Sequence, residues 1–237
     1  MLRRLALAAL LAAAPMTQAH AAAVVLWPVD PTIAAGQTAT ALWVENRGNQ
    51  PVTLQVRSLG WSQAGNEDQY ARQDEVVTSP PIANVAPGQR QLIRILRRDA
   101  GTTPAEHSYR LLIDELPPPV DPSKPNVASA QLAVQMRYSI PLFTYDGEVA
   151  ATPTLRARLV VIDGKRYAEI ANLGQRHARL INLRIQNGAR DFTVNAGLLG
   201  YVLGGSTMRW PVPDGAPISG TIVVNANGAD TTLAPTA

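Results

Sequence analysis

Cysteine is absent from this 237-residue chain. That excludes a disulfide-stapled scaffold and leaves hydrophobic cores to hold the fold together, even in an oxidising compartment. Histidine occurs three times, as His20, His107 and His177, so general-base candidates are few. There is no Gly-x-Ser-x-Gly elbow, no His-Glu-x-x-His pair and no phosphate loop, and with them the common nucleophilic, metal and nucleotide signatures are missing. No cofactor is expected, and the chain does not read as an enzyme. Long apolar runs are also lacking: the longest, Leu5 to Ala14, falls well short of the roughly 20 residues that cross a bilayer, so stable membrane insertion is not expected.

What the first residues do contain is a positive pair, Arg3 and Arg4, then that apolar run, Pro15 and the small-residue stretch Ala19-His20-Ala21. This order is that of a secretory signal peptide, with residues 1–21 expected to be removed. Loss of Arg3 and Arg4 brings the 21 basic residues down to 19, against 18 acidic ones. A near-neutral chain gives little support to a nucleic-acid partner, because phosphate binding needs a cationic face, so nucleic acid is not expected.

Along the rest of the chain, short segments alternate apolar and polar residues, as in Val52-Thr53-Leu54-Gln55-Val56-Arg57 and Ile181-Asn182-Leu183-Arg184-Ile185-Gln186. This is the period of a half-buried strand. Between them stand turn formers such as Gly65-Asn66, Pro87-Gly88, Asp163-Gly164 and Asn187-Gly188. With 19 prolines and 17 glycines as punctuation and no long helical period, the pattern predicts an all-β protein. Seven or eight strands are expected from Ala23 to Tyr145 and about seven from Thr154 to Leu233, each set the size of one immunoglobulin-like β-sandwich. The turn Tyr145-Asp146-Gly147-Glu148 is the expected hinge, giving domains over 22–146 and 147–237. Pro117 to Pro125, with five prolines in nine residues, cannot form a regular ladder and reads as a long loop.

The carboxylates Glu67-Asp68 and Asp74-Glu75 read as a solvated hairpin tip rather than a calcium site, and His107 and His177 as surface polar residues. The segment Ser129 to Ile140 is the informative one. Leu132, Val134, Met136, Tyr138 and Ile140 fall on one face and Gln131, Ala133, Gln135, Arg137 and Ser139 on the other. Such a face either packs on its own core or is lent to another chain by strand addition.

Five motifs then occur in order. They are Trp43-Val44-Glu45-Asn46-Arg47-Gly48, the strand Val52 to Trp61, Ser79-Pro80-Pro81-Ile82 with Val85 to Arg94, Glu106 with Tyr109-Arg110-Leu111 and Asp114 to Pro117, and Arg137 to Phe143. Together they resemble the PapD-like periplasmic chaperones of the chaperone-usher pathway, most closely the archaic or spore-coat-type branch. The resemblance covers about 120 residues of the first half.

It implies two immunoglobulin-like sandwiches in an L-shaped arrangement, a periplasmic location, and pilus or fimbrial subunits and an outer-membrane usher as partners. It further implies that the chain lends a strand to an incomplete subunit. The donated face would be Leu132, Val134 and Met136, extended by Tyr138 or Ile140. In this family a basic pair anchors the subunit's terminal carboxylate. Here Asp30 and Ser139 stand near the expected basic positions, which leaves Arg94 and Arg137 as the nearest candidates. The rival readings are a secreted adhesive or carbohydrate-binding sandwich and a secreted hydrolase on a β-scaffold.

Overall fold

The computed structural model describes residues 24–99, 101, 105–117, 135–150, 152–217 and 219–233, and among these all regular elements are β-strands. The expected signal segment lies outside them. The first set of strands is β1 (Val24–Trp27), β2 (Thr32–Ile33), β3 (Ala39–Asn46), β4 (Val52–Ala64), β5 (Glu67–Arg72), β6 (Val76–Ser79), β7 (Ile82–Val85), β8 (Arg90–Arg97), β9 (Ala105–Leu116) and β10 (Arg137–Asp146). They form two sheets, one ordered β1-β3-β8-β6 and the other β2-β10-β9-β4-β5 with β7 also beside β4. Leu42, Leu54, Ile93, Leu111, Ile113 and Leu142 fill the space between them, each with no exposed surface.

There are more strands in this half than expected because two of them change sheets at prolines. β1 pairs with β3, the chain passes Pro28 and Pro31, and β2 then runs parallel to β10 in the opposite sheet. In the same way β6 pairs with β8, Pro80 and Pro81 follow, and β7 pairs with β4 across the sandwich. Proline has no N–H to give to a ladder, so these are the positions where a strand can leave one sheet.

The second set is β11 (Leu155–Ile162), β12 (Lys165–Asn172), β13 (Ala178–Asn187), β14 (Arg190–Thr193), β15 (Leu198–Val202), β16 (Thr207–Pro211), β17 (Thr221–Ala226) and β18 (Ala229–Leu233). Their sheets are ordered β11-β12-β16 and β14-β13-β17-β18, with β15 also beside β13. Ala168, Ile170, Leu180, Leu183, Ile185 and Val224 form the core between them. Two-residue hairpins at Gly65-Asn66, Asp163-Gly164 and Asn227-Gly228 have positive φ at both positions. That backbone suits the right-handed twist of the flanking strands and explains why Gly, Asn and Asp stand there.

Candidate functional site

Two features outside the cores draw attention: the junction between the two sandwiches, and the start of β10. At the junction the outer face of β4, β9 and β10 meets the second sandwich. Trp61, Phe143 and Leu203 form a buried cluster with Tyr145 and Tyr201 against it. The Gln63 side chain makes two hydrogen bonds across the junction, accepting from the Leu203 amide and donating to the Tyr201 carbonyl, each at 2.9 Å, and it also donates to Asp68 in its own sandwich at 2.8 Å. The Arg209 amide donates to Asn66 at the β4–β5 hairpin tip. Glu106, with its side chain 2% exposed, accepts from the His177 amide and from His177 Nδ1, both at 2.8 Å. The His177 ring lies flat on Phe143, with centroids 3.5 Å apart and planes 5° from parallel.

His177 is therefore an interdomain contact and not the surface residue its sequence context suggests. Nothing in the local sequence could reveal this, because its partners are 71 and 34 positions away. His107 is also committed: its Nε2 lies 2.8 Å from Asp146. Asp146, expected in an open turn, is buried beside Arg97 at 2.6 Å and accepts from the Gly101 amide. Its hydrogen bond from Arg97 outweighs the opposing effect of burial, helped by the one from His107, and holds its carboxyl below the usual range. Glu67 and Asp68 are exposed at the start of β5, directly after the two-residue turn. Among the described residues no group of acidic, histidine or cysteine side chains could hold a metal ion.

The junction borders a cleft of about 420 Å³ lined by Asp30, Phe143, Arg176, His177, Arg179 and Tyr201 among others. Its cations are Arg176 and Arg179, both from the second sandwich. Sequence reasoning missed them because no spacing links them to β2 and β10. The pair it pointed to is not brought together. Arg94 lies on the outer face of β8, in the sheet opposite to that of β9 and β10. Arg137 opens β10, about 30 Å along the strand from the junction end at Asp146. There it is paired with Asp114, which also accepts from Arg57 at 2.6 Å. Burial pushes the Asp114 carboxyl up, but the two guanidinium bonds prevail and hold it low. Ser139 lies on the same outer face two residues further along, opposite Leu112.

The start of β10 carries the other feature. Inward-facing residues of this strand are Ile140 and Leu142, 5% and 0% exposed, with Tyr138 packed partly against the same core. Met136 has the same parity but is 43% exposed. Its carbonyl accepts from the Glu115 amide at 3.0 Å, one residue before β9 ends at Leu116. At Met136 the alternation that fills the sandwich thus reaches the end of its partner strand β9. Leu132 and Val134 lie outside the described residues. Ile140 belongs to the sandwich interior and cannot at the same time be lent outward.

Residues 24–145 match the model of the "Pili and flagellar-assembly chaperone, PapD N-terminal domain" family. No curated protein sequence matches. Among solved structures, the chaperone–tip adhesion subunit pre-assembly complex of the archaic chaperone-usher Csu pili of Acinetobacter baumannii is similar, at 28% identity and TM-score 0.74. The match covers 91% of this chain and all of the other. The Salmonella enterica SafA pilin–SafB chaperone complex is similar at 20% identity and TM-score 0.64, covering 91% and 96% of the two chains. The Pseudomonas aeruginosa CupB2 chaperone is 16% identical with TM-score 0.61, covering 90% and 100%. These last two show the fold alone. With its double sandwich, its proline-marked strand switches and a family match over more than half its length, the chain belongs to the PapD-type pilus-assembly chaperone family.

Proposed function

We propose that this protein is a periplasmic chaperone that binds incomplete immunoglobulin-like pilus subunits by donor-strand complementation and passes them to an outer-membrane usher. The observation that carries the reading is the start of β10. Met136 keeps the core-facing parity of Tyr138 and Ile140 yet stands exposed where β9 ends. In the sequence, Leu132 and Val134 share that parity. A subunit lacking its last strand has an apolar groove and unpaired backbone groups. An added strand satisfies both, with main-chain hydrogen bonds for affinity and alternate side chains for the groove. Each aliphatic side chain buried there is worth roughly 1.5 to 3 kcal/mol. The thioether of Met136 adapts to grooves of different shape.

In this reading the donated face is Leu132, Val134 and Met136, with Tyr138 at the transition to the chaperone's own core. A subunit's terminal carboxylate then has Arg176 and Arg179 as the cations of the interdomain cleft, in place of Arg94 and Arg137. In the Csu and Saf complexes a chaperone is bound to a tip adhesion subunit and to a pilin, which supports subunits as the partner class.

The test is periplasmic co-expression with the subunit-like proteins encoded beside the gene, followed by affinity capture. A stable one-to-one complex that keeps an otherwise aggregating subunit soluble is expected. Val134→Glu is expected to abolish it. Subunits that stay soluble alone and never co-purify would overturn the reading.

A further inference from the structure

The outer face of the β11-β12-β16 sheet carries an arrangement that neither core nor junction uses. Register places Arg158, Glu169 and Arg209 side by side across the three strands, and Arg156, Ala171 and Thr207 in the next outward row. The side chain of Glu169 is 7% exposed, yet it points away from the core that its neighbours Ala168 and Ile170 enter. It is covered by the two arginines themselves. Arg158 Nε donates to one of its oxygens at 2.5 Å and Arg209 Nε to the other at 2.6 Å.

Each guanidinium is held by its Nε, so the outer amino groups of both forks lie outside these bonds. The side chains remain 58% and 38% exposed. A buried carboxylate that orients two cations in this way costs desolvation and stabilises the fold little. It does fix the forks in position before a ligand arrives. Beside them, the small Ala171 leaves a depression of about 250 Å³ between Arg156, Arg158 and Thr207. Glu169 is the one acidic residue in these two rows, so three arginines leave an excess of positive charge.

We propose that this face binds an extended acidic polypeptide segment, its carboxylates taken by Arg156 and Arg158 with the Thr207 hydroxyl as an additional donor, and Glu169 acting as the positioning residue. Charge complementarity and spacing commit the occupant. Arg156 and Arg158 are two residues apart on one strand, which sets them about 6.6 Å apart, the repeat of alternate side chains in an extended chain. Guanidinium forks, unlike ammonium groups, take carboxylates two oxygens at a time. The site is remote in sequence from the donated strand and can be assayed with no pilus subunit present.

The probe is a fluorescent peptide of alternating glutamate and alanine, titrated against the full mature chain at low salt by fluorescence anisotropy. A block peptide of the same composition serves as the comparison. The alternating peptide is expected to bind more tightly than the block peptide. The double variant Arg156→Ala with Arg158→Ala should weaken it by at least about tenfold, through loss of charge-assisted bonds. Glu169→Gln should weaken it severalfold with the thermal midpoint followed in parallel, and Arg190→Ala, on the opposite sheet of the same sandwich, should change nothing. Equal binding of the two peptides, or equal binding by the double variant and the parent, would overturn the proposal. So would binding to phosphatidylglycerol vesicles, but not to the peptide, through the same arginines.

Discussion

Asp146 is a residue whose neighbours, not its own type, set its role. Its side chain is 3% exposed and that of its partner Arg97 5% exposed, with 2.6 Å between them. Removing one member of such a pair leaves a buried charge uncompensated, so Arg97→Ala is expected to destabilise the first sandwich by about 3–5 kcal/mol, measured by denaturant unfolding. The same pair sets a pH dependence. The carboxyl is held below its ordinary value, chiefly by Arg97. Its contribution is therefore fully present above about pH 4 and is lost as the pH falls through the depressed folded-state value. Asp146→Asn should lower the thermal midpoint at neutral pH and flatten its decline as the pH falls below about 4. An acid limb as steep as the parent's would contradict this assignment. The sequence context of Asp146, followed by Gly147, reads as a turn. Only the approach of Arg97, His107 and Gly101 reveals the buried site.

At the level of the element, one alternation runs from an exposed methionine just before β10 into the core-facing residues of the strand. Ile140 and Leu142 lie inside the sandwich, whereas Met136, of the same parity, is exposed at the edge where β9 stops. The two ends should therefore separate experimentally. Ile140→Ala is expected to cost about 2–5 kcal/mol of stability, as large-to-small core substitutions do. Met136→Asp is expected to change stability by no more than about 0.5 kcal/mol while abolishing capture of a pilus subunit. Unfolding caused by Met136→Asp would instead make that position ordinary core. The period of β10 was legible in the sequence over its whole length, because side chains alternate whatever they face. Where the core ends and the exposed stretch begins was not, since that depends on where β9 terminates.

For the molecule as a whole, the question is what couples the two sandwiches. Gln63 contributes two hydrogen bonds and the His177, Glu106 and Phe143 group two more and a stacked ring pair. Each hydrogen bond is worth about 1 kcal/mol net. Changing Gln63 and His177 together to alanine should broaden the distribution of interdomain distances in small-angle scattering. The thermal transitions should move little, because neither residue belongs to the two main cores. Unchanged scattering would place the coupling in the Trp61, Phe143 and Leu203 cluster alone.

The all-β class, the strand periods, the two-residue turns and the family resemblance could all be read from the chain alone. They rest on local alternation and on residues whose backbone preferences act within a few positions, and the prolines that end β1 and β6 belong to the same category. The cations of the interdomain cleft could not be read in this way. Arg94 and Arg137 are suitable in type and lie near the right strands, but register puts them in opposite sheets, and the cleft's cations come from Arg176 and Arg179 in the other sandwich. The alignment of Arg158, Glu169 and Arg209 is likewise a product of strand pairing. Side-chain type and period are properties of a short stretch of sequence, whereas which side chains meet across a sheet or a domain junction is set by pairing between distant segments, and only the folded chain decides that.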